Sequence, residues 1–475
     1  LTIVATDPIF QMFSGLFSAT QPLAERFANA GFDLYAVGGC VRDVLLRLES
    51  TTPDVDLTTN ARPDDIERIV KPWADATWDQ GRRFGTIGCK RDGIDFEITT
   101  FRADAYEPDS RKPIVTFGDS ISEDLSRRDF TINALAIKLG SEPEFIDEFG
   151  GLSDLMAKRL KTPLDPAISF EDDPLRMLRA ARFLARFDLT PVPELLQAIA
   201  KDHERLKIVS AERIRDELDK LMEVPVCAPG LRFLVEHHLA DHFLPELPGL
   251  SLEQDPLHHH KDVFTHTLAV VDKTTPERLL RLAALFHDVG KPKTRNFVDG
   301  GVTFHHHEVV GARMTKVRME ALKYSGDDVA TVVRLVELHL RFHTYKMGWS
   351  DKAVRRYVRD AGDHLAMLNE LTRCDCTTRN AAKAKQLAKR MDELEDRIKE
   401  LSKEEDLKSL RPDLDGQEVM AQLGVGPSKV IGEALEYLLD LRLDEGPLGK
   451  QEASRRLDLW WKARGGAEAP PSQLN

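Results

Sequence analysis

The spacing of apolar residues changes along the chain. In "LAERFANAGF" (residues 23–32) it repeats at helical intervals, and "DLYAVGG" then reads as a short buried strand ending in glycines. "CVRDVLLRLE" is helical again, whereas "DVDLTT" and "IDFEITTFR" alternate as strands do. "PDDIERIVKPWA" puts Pro at a helix start with acids in the first turn. Residues 1–150 therefore read as a mixed α/β head. From Gly151 the strand signal stops. "DPLRMLRAARFLARF" gathers apolar residues on one helical face and arginines on another, and "SAERIRDELDKLM" opens on Ser and is amphipathic. Residues 151–250 read as a helical neck, and 251–376 as helical and rich in histidine. Residues 377–475 include a long charged helix over 380–404, then a helix, a Gly-Pro turn and a helix, and they close on "GGAEAPPSQLN", a composition that does not order. No tandem repeat is visible. The expected class is α+β, an α/β head followed by helical regions.

Composition narrows the partners. The 475 residues suggest about three domains, and 42% hydrophobic residues can build real cores. The net charge of -13 means that a polyanion must meet local patches of Arg and Lys. No apolar run approaches the roughly 20 residues that span a bilayer, and the first residues lack the pattern of a secretory signal. The chain begins at Leu1 rather than Met, so a short piece before it is expected. The five cysteines are few, scattered and odd in number, which suits a reducing cytoplasm. Cys374-x-Cys376 is too tight for the usual zinc pairs and has no second pair.

Two carboxylates stand out. Asp54 and Asp56 lie one residue apart on an expected strand, so they point to one face. Glu97 on a second expected strand could complete a triad, with Asp95 on the same strand face as its rival. Three carboxylates suit Mg²⁺, a hard ion that takes oxygen ligands and shares them with phosphates. Two such ions can clamp the attacking and leaving oxygens of an in-line displacement. Upstream, Gly38 and Gly39 sit between a strand and a helix, where free N–H groups can face a phosphate, and Arg42 is placed to add charge to a triphosphate.

The stretch Gly38–Asn60 resembles the first motif of class II tRNA nucleotidyltransferases and bacterial poly(A) polymerases, and four more follow in family order. "DLSRRDFTINALA" resembles the second, which implies that Arg127, Arg128, Asp129 and Asn133 contact sugar and phosphates. "DEFGGLSDL" resembles the third, a hinge-like linker, and "EDDPLRMLRAARF" the fourth, which reads the incoming base. "AERIRDELDKLM" resembles the fifth, a neck element. The resemblance implies a polymerase-β-like nucleotidyltransferase head holding Mg²⁺ at Asp54, Asp56 and Glu97.

In the fourth motif Asp173 and Arg176 are three apart, so they are expected to share a helix face. A carboxylate only accepts hydrogen bonds and a guanidinium only donates. Cytosine offers N4–H beside N3, and adenine N6–H beside N1, so both match the pair. Uracil and guanine present the reversed polarity and would leave buried groups unpaired. CTP and ATP are the expected nucleotides. The family pattern has Glu-Asp here, whereas Asp172 precedes Asp173, a mild departure. Arg179 and Arg182 are further candidates for triphosphate or sugar.

"TTFRADAYEPDSRKPIVTF" (99–117) resembles the flexible loop of CCA-adding enzymes, while the Gly-Arg-Arg-Phe of "GRRFGTIGCKRDG" also resembles poly(A) polymerases. CCA addition to tRNA is the first expectation, and poly(A) addition to RNA 3′ ends the alternative. His266, His287, Asp288, His307, His339 and Asp375 form a second set, which resembles the HD metal phosphohydrolases and implies a divalent transition metal or Mg²⁺ there. His258 to His260 and His343 lie nearby in sequence. An HD phosphohydrolase or RNA-binding regulator is the alternative from another class. "LGVGPSKVIGEAL", with Lys429, resembles the family's C-terminal RNA-binding part. The sequence leaves the oligomeric state open.

Overall fold

The computed structural model describes residues 8–48, 54–102, 117–118, 120–251, 262–298, 301–344, 349–376, 381–407 and 410–465. The loop resembling that of CCA-adding enzymes (for residues 103–116), His258 to His260 and the last ten residues lie outside them. The chain divides into two compact units, Leu1–Pro248 and Gly249–Asn475.

The first unit is built on a seven-stranded sheet, in the order β3-β4-β5-β2-β1-β6-β7. Its strands are β1 (Leu34–Val37), β2 (Asp54–Thr59), β3 (Ala76–Trp78), β4 (Thr86–Arg91), β5 (Ile94–Thr100), β6 (Ala136–Lys138) and β7 (Glu144–Ile146). Neighbouring strands are antiparallel except β2 and β5, which run parallel at the centre. The period-two pattern of β2 sorts its residues. Val55 and Leu57 join Phe96 and Ile98 of β5 in a core with Leu23, Phe27, Ile66 and Val70 from helices on that face and Trp73 from the turn that follows Val70. Each such side chain contributes about 1.5–3 kcal/mol on burial. Asp54 and Asp56 are thereby turned to the other face, where they are exposed.

The neck packs the Arg176–Phe187 helix against the Ala211–Met222 and Ala228–Glu236 helices. Its one departure from the periodicity is at the start. The helix opens at Arg176, and Asp173 lies before it in extended backbone (φ -145°, ψ 100°). Pro174 is the cause, because proline disfavours helical geometry in the residue preceding it. Asp173 and Arg176 therefore do not share a helix face. Strands also recur beyond Gly151. Arg159–Leu160 pairs with Thr190–Pro191, and Asn296–Val298 forms a hairpin with Gly301–Thr303. All are too short to show a period.

In the second unit, helices Val263–Lys273, Arg278–Phe286, His307–Ala321, Gly326–Leu338 and Leu365–Asp375 carry the histidine-rich region, and Ala381–Glu404 is the long charged helix. Helices Gly416–Leu423, Lys429–Glu445 and Lys450–Ala463 close on Val419, Ala434, Leu438 and Leu457. Asp415 and Glu418 form a capping box at the first of these. No helix among the described residues is long and apolar enough to cross a membrane.

Candidate active site and histidine cluster

The parallel register of β2 and β5 sets Asp54 beside Asp95 and Asp56 beside Glu97. Lys90 holds Asp95 in an ion pair at 2.8 Å. Asp56 and Glu97 instead line a cavity of about 350 Å³ together with Arg102, Asp124, Arg127, Arg128, Asp129, Asp173, Arg176, Arg179 and Arg213. Asp56 keeps an open side to solvent, yet desolvation by the surrounding cavity walls raises its carboxyl to about 6, Arg128 opposing the shift and Asp54 and Glu97 adding to it. Asp54 and Glu97 are raised by the same causes, burial first and then a neighbouring carboxylate. Asp56 and Glu97 at the cavity wall, with Asp54 on the same strand face just outside its lining, match the donor set of a hard divalent cation.

Gly38 has φ +69°, a left-handed conformation that side chains rarely adopt, and a Cβ there would meet Arg128 Nη1 at 2.8 Å. The glycine thus lets the Arg128 guanidinium lie on the turn, while Asp124 holds it at 3.1 Å. Gly39 opens the short Gly39–Leu45 helix that carries Arg42. Arg42 does not reach the cavity. It is buried, donates to Asn133 Oδ1, pairs with Asp43 at 2.6 Å, and lies 4.4 Å over the Phe187 ring.

The second motif is knitted to the fourth. Asp129 Oδ1 accepts from Phe130 N and Asn133 Nδ2, and Oδ2 accepts from Arg179 Nε and Nη2 at 2.8 and 2.6 Å. Burial alone would raise this carboxyl. Arg179 and Asn133 outweigh it and hold it well below the usual carboxylate range. Buried Glu217, from the fifth motif, takes Arg182 at 2.7 Å and Arg179 at 3.3 Å. Arg179 lines the cavity, whereas Arg182 is committed to Glu217.

Asp173 and Arg176 meet in the cavity by a turn rather than by helical spacing. Asp173 Oδ1 accepts from Leu175 N at 3.1 Å. Arg176 is buried, with Nη1 on Ser169 Oγ at 2.8 Å and Nη2 on the Arg127 carbonyl. Arg213 pairs with Asp173 Oδ2 at 2.7 Å. Sequence reasoning missed Arg213 as a site residue. Its only signal was membership of the fifth motif.

The second unit gathers His266, His287 and Asp375 in one group and Asp288, His307 and His339 in another, with the ligand atoms of each within 4.8 Å. Neither group contains Cys374 or Cys376. Asp288 joins the groups, Oδ2 lying 3.1 Å from His287 Nε2 and Oδ1 3.3 Å from His307 Nε2. His287, His307 and His339 each set Nδ1 against a backbone carbonyl three residues upstream, at 2.7, 2.8 and 2.6 Å. Those carbonyls can only accept, so they fix a proton on Nδ1 and make Nε2, which faces inward, the nitrogen that can ligate when the ring is neutral. The Nε2 atoms of His287 and His266 stand 3.2 Å apart, and those of His339 and His307 3.3 Å. Converging imidazole lone pairs and carboxylates fit divalent metal. Burial lowers His339 to about 3, which keeps it neutral as a ligand must be. Gly290 makes the approach possible, since a Cβ there would fall 2.1 Å from the His307 carbonyl oxygen. Lys291 Nζ holds Asp288 Oδ2 at 2.6 Å. Exposed Lys429 lies elsewhere in this unit, 3.7 Å from Glu433.

Carboxylates on a mixed sheet thus share one cavity with an acceptor, Asp173, and a donor, Arg176, and the fold of this part is that of a nucleotidyltransferase head. Residues 34–161 match the poly A polymerase head domain, 188–250 the "Probable RNA and SrmB- binding site of polymerase A", and 257–402 the HD domain. In chain order it thus carries a region matching a poly A polymerase head, a region matching the RNA-binding part of such a polymerase, and a region matching an HD domain. It is 38% identical over 253 residues to a protein of Bacillus pumilus named CCA-adding enzyme, covering 53% of this chain and 60% of that one. To the protein of that name from Lactobacillus gasseri it is 40% identical over 243 residues, 51% and 58% of the two chains. The match thus spans about three-fifths of these relatives. The fold resembles that of the Bacillus stearothermophilus CCA-adding enzyme solved with CTP (TM-score 0.67, 24% identity, 97% and 99% of the two chains). It also resembles the Thermotoga maritima enzyme solved with tRNA (TM-score 0.56, 19% identity, 97% and 99%).

Proposed function

We propose that this chain adds C, C and A to the 3′ end of tRNA from CTP and ATP, without a nucleic-acid template, and releases pyrophosphate. One observation carries the reading: Asp56 and Glu97 share a single cavity with Asp173 and Arg176. One wall offers acidic oxygens, the other an acceptor and a donor for a base edge. Asp54, Asp56 and Glu97 would hold Mg²⁺, which supplies charge stabilisation at the transferring phosphoryl group. Arg127 and Arg128 bring positive charge to the triphosphate, and Asp129 and Glu217 fix the arginines beside it. Asp173 and Arg176 select C and A, because U and G would leave them unpaired. In this reading residues 1–150 are the transfer head, 151–250 the base-recognition neck, 251–376 the HD module and 377–475 the region that holds RNA. The name CCA-adding enzyme borne by the sequence relatives, and the ATP, CTP and tRNA bound in solved CCA-adding enzymes of this fold, support it.

The test gives tRNA lacking its 3′ end each of CTP, ATP, UTP and GTP with Mg²⁺. Ordered C, C, A incorporation is expected, and long A tracts alone would make the chain a poly(A) polymerase. A second reading rests on the joined histidine–aspartate groups, which suit metal-assisted phosphoester hydrolysis. Wild type and His287→Ala/Asp288→Ala, assayed on phosphoesters with Mg²⁺, Mn²⁺ and Ni²⁺, decide it. No turnover by wild type with any of the three overturns it.

A further inference from the structure

Arg213 stands at the mouth of the cavity with its side chain 53% exposed, yet it is bound to the residue that reads the base. It is a neck residue, three after Ser210, whose hydroxyl caps its N–H and starts the helix there. From that helix start it reaches back 40 positions to Asp173. Asp173 needs such a partner. A carboxylate's terminal torsion has a broad, roughly two-fold preference, so the plane of an unclamped Asp swings. Here Leu175 N holds Oδ1 and Arg213 Nη2 holds Oδ2. One lone pair of each oxygen is spent on the protein, and the plane of the remaining pair is set. Arg176, the donor half of the reader, is fixed separately by Ser169 and the Arg127 carbonyl.

We propose that Arg213 is a positioning residue for nucleotide specificity, aligning the Asp173 carboxylate so that it meets the exocyclic amino group shared by cytosine and adenine. It touches neither the metal seat nor the phosphates in this role. The inference rests on the reading of Asp173 and Arg176 as the base-recognising pair. A carboxylate free to turn still accepts hydrogen bonds from C and A, but it no longer holds the geometry that leaves U and G unpaired. Removal of the clamp therefore costs selectivity more than turnover.

Steady-state kinetics on tRNA lacking its 3′ end test this, with kcat and KM measured for CTP, ATP, UTP and GTP in wild type, R213A, R213K and D173A. R213A is expected to lower the CTP:UTP ratio of kcat/KM at least about tenfold, since a displaced contact of this kind weakens discrimination by one to two orders of magnitude. Its kcat with CTP should fall less than the ratio does. R213K, which keeps a donor without the fixed fork, should recover part of the ratio. Thermal unfolding of each variant shows that the fold survives. An R213A ratio within twofold of wild type, with D173A losing it, overturns the proposal and leaves the base reading intact. A wild type that does not discriminate, or D173A that keeps full discrimination, overturns the base reading itself.

Discussion

Asp129 and Arg179 lie in different motifs, 50 residues apart, and are bound to each other through two nitrogens on one oxygen. The pair joins the head to the neck inside one compact unit, and Glu217 braces it from the far side. Asp129, expected at the nucleotide from the second motif, and Arg179, a further candidate there, thus spend much of their hydrogen-bonding capacity on one another. The result is a preset cavity wall.

That pair sets a pH dependence. The Asp129 carboxyl is held below its ordinary value, so its contribution to stability is present above the unfolded pKa of about 3.9 and is lost as pH falls toward the folded value. Asp129→Asn should cost about 3 kcal/mol near neutrality, because Arg179 is left with an uncharged partner. It should also flatten the acid limb, so that the gap from wild type narrows below about pH 4. Chemical denaturation across pH 3–7 checks both. A gap that widens with acidification rejects the assignment.

The third head ligand can be decided by two substitutions. Glu97 faces the cavity beside Asp56, whereas Asp95 is paired with Lys90 and does not line it. Glu97→Gln should reduce nucleotide transfer by two orders of magnitude or more, as Asp54→Ala and Asp56→Ala should. Asp95→Asn should stay within about threefold of wild type, since its exposed ion pair is worth little. The reverse ranking in a single-turnover assay would move the ligand to Asp95.

Much of this was legible in the sequence, and the rest was hidden for physical reasons. Period-two spacing was enough to set Asp54 and Asp56 on one face, and the same rule left Glu97 and Asp95 tied, because both point that way. Register and the Lys90 partner separate them. The Asp173–Arg176 pair was readable by residue type, but its helical geometry was not, since Pro174 takes Asp173 out of the helix. Arg42 looked like a phosphate ligand because burial cannot be read from a charged side chain. Only the fold shows it lying against Phe187. Arg213 acts across 40 positions, a distance that no local pattern records.

Base recognition by Asp173 predicts a graded loss. Asp173→Asn places an amide where an acceptor is needed, and it also weakens the Arg213 contact. A hydrogen bond to a charged group is worth about 1.5–3 kcal/mol, so CTP and ATP should lose roughly 10- to 150-fold in kcat/KM. Arg176→Lys should lose at least as much, because Ser169 and the Arg127 carbonyl would also be left without their donor. Equal loss for all four nucleotides would point to a collapsed cavity rather than a lost reader, and unfolding curves separate the two.

The histidine cluster gives a prediction that depends on one hydrogen atom. Gly290 lies so near the His307 backbone that a Cβ would sit 2.1 Å from its carbonyl oxygen, and backbone cannot yield as a side-chain tip can. Gly290→Ala must therefore push the Asp288 turn and the His307 helix apart. Asp288 reaches both histidine groups, so the displacement should weaken metal binding at both. Metal retained after dialysis of the full chain, measured by mass spectrometry with the head carboxylates Asp54 and Asp56 replaced by Ala, should fall toward the level of His287→Ala/Asp288→Ala. In a background with the head intact, nucleotide transfer by Gly290→Ala should remain within about twofold, because the substitution lies in the other compact unit. Unchanged metal retention would show that the close approach of Gly290 to His307 is not what assembles the cluster.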